Sequence, residues 1–252
     1  MTVNEPIKLK TPQEIKVLQK AGKILSLIVK EVTRSLKAGM TTGDIDQIAE
    51  KLIDEYKVTP AFKGYRGFPA CCCISVNEEV VHGIPGDRIV RDGDIVSIDV
   101  GIVYQEFYSD TAVTLGVGEI NSKLKELLEV TRQSLYEGIK QVRAGHYLGD
   151  VSSAIQSFVE ARNFSVVRDF VGHGIGKNLH EAPEIPNFGF PRTGPILKEG
   201  MVIAIEPMVN VGTYKTRICE DGWTVVTADG QPSAHFEHSL AITADGPLIL
   251  TE

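Results

Sequence analysis

Leu25, Ile28, Val29, Val32 and Leu36 recur at three- and four-residue intervals, which predicts the buried stripe of a helix ending near Leu36. Thr11-Pro12-Gln13-Glu14 supplies its start, with Thr11 as N-cap, Pro12 at the first helical position and Glu14 completing a capping box. Ile45, Ile48, Ala49, Leu52, Ile53 and Tyr56 mark a second helix. A further pair follows on Leu124, Leu127, Leu128 and Leu135, then on Val151, Ala154, Ile155, Phe158 and Val159. Between the pairs the helical period is lost. Ile95-Val96-Ser97-Ile98-Asp99-Val100 and Val202-Ile203-Ala204-Ile205-Glu206 are short apolar runs that read as buried strands, and Phe107 to Leu115 reads as a return strand.

The pattern is written twice. Lys37-Ala38-Gly39-Met40-Thr41-Thr42-Gly43-Asp44-Ile45 recurs as Arg143-Ala144-Gly145-His146-Tyr147-Leu148-Gly149-Asp150-Val151, 106 residues later. Gly93-x-Ile95-Val96-x-Ile98-Asp99 recurs as Gly200-x-Val202-Ile203-x-Ile205-Glu206, 107 residues later. Two copies at nearly constant offset predict two similar halves, about 12–118 and 121–252, within one catalytic domain spanning 1–252, since a stacked array needs more copies. The expected class is α/β (α+β): in each half a helix pair backs a curved, mainly antiparallel sheet.

Each half ends a strand on an acid, and Asp99 and Glu206 are the pseudo-twofold mates. Alternation puts small neighbours, Ser97 and Ala204, on the same faces and leaves room for an ion. Either acid alone could simply face water; as a matched pair that reading weakens. Asp99 and Asp110 are symmetric about Tyr104-Gln105, so a tight hairpin there would oppose two carboxylates that a metal could bridge. Tyr-Gln is an unfavourable two-residue loop, and a slip of one residue would separate them. His173 lies in Gly172-His173-Gly174-Ile175-Gly176, where glycines allow close approach of backbone and ligand. Glu237 sits in His235-Phe236-Glu237-His238. Buried carboxylates are costly unless neutralised, and four acids with one imidazole suit two divalent cations. Oxygen-rich ligands favour ions such as Mn²⁺, Fe²⁺ or Co²⁺, with Zn²⁺ also in the candidate set.

Taken together, Val81-His82-Gly83-Ile84-Pro85, Ile98-Asp99-Val100-Gly101, Ser109-Asp110-Thr111, the glycine-flanked His173, His180-Glu181-Ala182-Pro183, Ile205-Glu206-Pro207-Met208 and Phe236-Glu237-His238 resemble the methionine aminopeptidases. The resemblance runs from about Ile7 to Thr251 and implies the pita-bread fold, with its two pseudo-twofold-related halves. It implies that Asp99, Asp110, His173, Glu206 and Glu237 ligate two ions, that Glu206 shuttles a proton, and that His82 and His180 contact substrate. Phe62, Tyr65, Phe68, Cys73 and Trp223 match residues around the methionine side chain, while Leu179 stands where the family usually has an aromatic. Only 31 residues separate Glu206 from Glu237, too few for the type II insertion, so the chain resembles the bacterial-type (type Ia) enzymes. The implied substrates are nascent polypeptide N-termini with a small second residue. The alternatives are an X-Pro aminopeptidase or prolidase of the same fold and a metal-free peptide-binding homologue.

A net charge of −7 without a basic run argues against nucleic acid as the principal ligand, though a local patch could still meet the ribosome near its exit tunnel. With no 18-residue apolar stretch and no leader pattern, a soluble cytoplasmic protein without a membrane partner is expected; the expected state is a monomer. Cys71, Cys72 and Cys73 form neither a zinc pattern nor a disulfide framework, and read as reduced, packed small residues.

Overall fold

The structure, a computed structural model, describes residues 6–252, so the first five positions of the expected domain lie outside it. Among the described residues, four α-helices back antiparallel sheets. Helix α1 (Pro12–Ser35) starts at Thr11, whose hydroxyl and backbone close a capping box with Glu14, and α2 (Thr42–Glu55) repeats that box with Thr41 and Asp44. Helices α3 (Ser122–Ile139) and α4 (Leu148–Glu160) form the second pair. The buried stripes of all four follow the periodicity of the sequence except at Tyr56, which caps the end of α2 instead of extending its stripe and is exposed.

One sheet of four strands holds the hairpin Ile95–Tyr104 and Phe107–Gly116 with Cys72–Val76 and Thr59–Pro60 on its other edge. A five-stranded sheet runs Gly246–Ile249, His238–Thr243, Val202–Ile205, Gly172–Gly174, Glu181–Ile185. Every described pairing is antiparallel. One apolar core packs α1 and α2 against the first sheet around Ile28, Ile53, Ile74 and Ile98, and another packs α3 and α4 around Leu127, Ile155, Ile203 and Ile205.

The halves match in detail. Gly39 and Gly145 donate to Val90 and Leu197, whose own N–H groups bond Met40 and His146. Gly93 and Gly200 share a left-handed φ of 90° and 88°, a turn that glycine makes at low cost directly before each acid-bearing strand. The halves meet where Glu237 N–H donates to Ala112 O and the Thr111 hydroxyl donates to Glu237 O. This seam brings acids from both halves together.

Candidate metal centre

The hairpin turns on Gln105-Glu106, both at positive φ (48° and 68°), as a tight two-residue turn requires. Tyr104 pairs with Phe107, Asp99 faces Ala112 and Asp110 faces Gly101. This corrects the expected register about Tyr104-Gln105, in which the two acids stood directly opposite. Sliding the turn by one residue keeps bulky Tyr104 out of the left-handed region. The slide moves each cross-strand partner by two positions, so parity is kept. Asp99 and Asp110 remain on one face as diagonal neighbours, and both line the same cavity.

His173 rises between Gly172 and Gly174, where added Cβ atoms would collide with the carbonyls of Ala204 and Ala182. Its Nδ1 lies 3.0 Å from Gly174 O. A carbonyl only accepts, so Nδ1 carries the proton and Nε2 presents a bare lone pair. That lone pair points at two carboxylates, 3.6 Å from Glu206 Oε1 and 3.9 Å from Asp110 Oδ2. Asp110, His173 and Glu237 offer ligand atoms that all lie within 4.8 Å of one another. Asp99 and Glu206 line the same cavity of about 370 Å³.

These groups fit a cation and little else. Asp99 Oδ1, Asp110 Oδ1 and Glu237 Oε1 are buried without a hydrogen-bond partner. Burial pushes Asp99 up to about 7, partly offset by His235, and pushes Glu206 up to about 7, partly offset by His173. Asp110 and Glu237 are driven well above the carboxylate range, by burial first and by their acidic neighbours second. Carboxylates that face one another and a lone pair can be held together only by protons, which their raised pKa values reflect, or by a bound cation, which would replace those protons.

The remaining wall suits a substrate. Phe62, Tyr65, Phe68, Cys73, Leu179 and Trp223 all line the cavity, as do His82 and His180. Phe68 meets Trp223 edge-on at 5.1 Å. Leu179 is buried and fills its position as an aliphatic wall. Burial lowers His82 to about 4, with His235 adding to the effect, and lowers His180 to about 3, helped by His173, Arg66 and His82. Both imidazoles are neutral near pH 7. His82 is held at φ 60°, an uncommon conformation for a non-glycine residue and one that clusters at working sites. Burial drives the Cys72 and Cys73 thiols well above their ordinary range and raises Cys71 to about 12, so all three are packed, reduced side chains. His235 stands near Glu206 and escaped the sequence reading. The signal was its place two residues before Glu237, on the same face of an extended segment.

The family pattern for Metallopeptidase family M24 matches residues 16–244. The chain is 52% identical to a methionine aminopeptidase of Clostridium perfringens over 96% of this chain and 98% of the relative. It is 51% identical to methionine aminopeptidase 1 of Bacillus subtilis over the same shares. The crystal structure of a methionine aminopeptidase from Thermotoga maritima superposes with a TM-score of 0.96 at 49% identity, covering 98% of this chain and all of that one. Fold, donor set and full-length similarity agree: the chain belongs to metallopeptidase family M24 and, within it, to the methionine aminopeptidases.

Proposed function

We propose that this chain removes the initiator methionine from nascent polypeptides whose second residue is small, using two divalent ions held by Asp99, Asp110, His173, Glu206 and Glu237. The observation that carries this reading is the convergence of Asp110, His173 and Glu237 within 4.8 Å, beside orphaned carboxylate oxygens and an apolar wall. Bound divalent ions supply the Lewis acidity that lowers the pKa of an attacking water and polarises the first carbonyl.

The chain's own groups do the rest. Phe62, Phe68, Cys73, Leu179 and Trp223 enclose an unbranched thioether, whose flexibility suits an irregular aromatic and sulfur-lined wall. His180, neutral and tethered through Nδ1, directs Nε2 at the carbonyl oxygen that gains charge. His82 orients the backbone of the second residue. Glu206, whose carboxylate lines the cavity beside His173, takes a proton from water and passes it to the departing amine. The acids at the cavity floor favour a free α-amino group, which limits cleavage to the first peptide bond.

We place the reaction in the cytoplasm, in a single-domain monomer. Four free cysteines accord with a reducing compartment, and no described helix is long and apolar enough to cross a membrane. Metal analysis with peptide turnover tests the proposal. Met-Ala-Ser should be cleaved by metal-loaded protein and spared after chelation; cleavage confined to Gly-Pro or Ala-Pro-Gly would assign the X-Pro activity, and peptide binding without metal or turnover would assign a binder.

A further inference from the structure

We propose that His235 is a positioning residue for the metal centre: its Nε2–H holds Glu206 Oε2 from behind and leaves Oε1 directed toward the ligand nitrogen of His173. This rests on the metal-centre reading above and adds a residue that the reading does not contain.

The Glu206 carboxylate stands between two imidazoles, one at each oxygen. His173 Nε2 is 3.6 Å from Oε1 and His235 Nε2 is 3.5 Å from Oε2. The two rings are not equivalent. His173 gives its proton to the Gly174 carbonyl and keeps Nε2 bare, as a ligand must. His235 is 1% exposed, is absent from the cavity wall, and its Nε2 has no hydrogen-bond partner. A ring nitrogen so buried cannot meet substrate or water. Its neighbour Oε2 accepts only, so the attractive arrangement puts the proton on Nε2. The gap exceeds an ordinary N–H···O bond by about half an ångström, which a small turn of the carboxylate closes into a charge-assisted bond.

His235 is fixed independently of Glu206. The Thr114 hydroxyl accepts from His235 N–H at 2.8 Å and donates to His235 O at 2.7 Å. Its one proton is thereby used, so Ser97 Oγ, 2.8 Å away, is the donor in the next link. Ser97 lies two residues before Asp99 on the same strand. Across the neighbouring ladder His235 pairs with Met208, two residues beyond Glu206. Phe236, between His235 and Glu237, turns into the second core. A single extended segment thus delivers one ligand, Glu237, and the outer partner of another.

Nitrogen-15 NMR of the wild-type protein at pH 8, metal-free and loaded with diamagnetic Zn²⁺, tests the assignment directly. The expected result is a protonated Nε2 on His235 in both forms; an unprotonated Nε2 overturns the proposal. In the second arm, chelator competition and steady-state kinetics compare His235→Leu with His235→Gln. Loss of an outer partner should weaken Zn²⁺ affinity about tenfold to hundredfold. His235→Leu should show that loss together with a lower kcat at nearly constant KM, while the amide donor of His235→Gln should restore most of the affinity. Wild-type affinity in His235→Leu, or equal loss in both variants, removes the donor role. Failure of the wild type to take up any divalent ion would overturn the proposed function instead, and is distinguishable because the tautomer is read without metal.

Discussion

Tyr65 Oη lies 2.8 Å from His180 Nδ1, so the hydroxyl of one cavity-wall residue occupies one imidazole nitrogen and leaves Nε2 as the nitrogen free to face the cavity. The rings are 5.4 Å apart at 38°, and His180 sits 4.4 Å from the ring of His173. An imidazole this close to the proposed metal ligand acts well only if its orientation is fixed. Tyr65→Phe keeps the wall and removes the tether. Loss of one such bond, about 0.5–1.5 kcal/mol, corresponds to roughly a two- to twelvefold fall in kcat. Metal content should stay at the wild-type level. Unchanged kcat in Tyr65→Phe would release His180 from this control.

Lys10 and Glu181 form a buried ion pair at 2.6 Å, with side chains 6% and 2% exposed. Lys10 lies just before α1, and its N–H bonds Gly200 O, so the pair fastens the entry to the first helix against the segment that follows His180. Glu181 also accepts from Asn178 N–H at 3.2 Å. Lys10→Met leaves that carboxylate buried without its cation, a loss of about 3–5 kcal/mol. Urea denaturation should show the midpoint falling by a corresponding amount, with part of the loss regained in Lys10→Met/Glu181→Leu. A single variant as stable as wild type would mean that Glu181 finds water or another donor.

What could be read from the chain follows the range of each interaction. The stripes of α1 to α4 and the Thr11–Glu14 box depend on neighbours within four residues, so periodicity exposes them. The acids after the apolar Ile95 and Val202 runs stood out because a charge there is locally costly, although only Glu206 follows the end of its strand, while Asp99 lies inside one that continues to Tyr104. The turn at Gln105-Glu106 did not, because neither residue advertises positive φ and the pairing of Tyr104 with Phe107 decided the register. Lys10–Glu181 and Tyr65–His180 join residues 171 and 115 positions apart, and no local pattern encodes such meetings. His235 was hidden differently, since a lone histidine beside a recognised acid gives no sign of which way its ring turns.

Asp110 is buried, its Oδ1 has no partner, and its carboxyl is raised far above its ordinary range. Asp110→Asn keeps the shape and removes a charge that burial penalises. The variant should lose divalent-metal binding and turnover. Its metal-free form should nevertheless melt higher than the metal-free wild type at pH 8. Plasma emission spectrometry and calorimetry check the two halves separately. Retained metal with wild-type turnover would take Asp110 out of the ligand set.

The same electrostatics set an unusual pH dependence for the metal-free protein. Asp99 and Glu206 titrate at about 7 in the fold, against ordinary values of 3.8 and 4.5, while burial holds Asp110 and Glu237 well above their own ordinary values. The folded chain therefore holds protons that the unfolded chain has released, and stability falls as pH rises through these folded values. His82 and His180 act in the opposite sense, titrating near 4 and 3 against 6.5 when unfolded, so their contribution grows with pH and is complete just above 6.5. Between about pH 4 and 6.5 the two sets oppose, and the two imidazoles offset only part of the loss from the four carboxylates. Above 6.5 only the carboxylates still change. Each proton difference then costs about 1.4 kcal/mol per pH unit. Metal-free protein should lose melting temperature as pH rises from about 5 to about 7.5, through the folded values of Asp99 and Glu206. Saturating divalent cation should reverse the slope, because ions bind the deprotonated acids and stabilise the fold more as protons leave. Calorimetric scans across that range, with and without cation, read both signs; parallel profiles would show that the buried acids and the ion do not share a site.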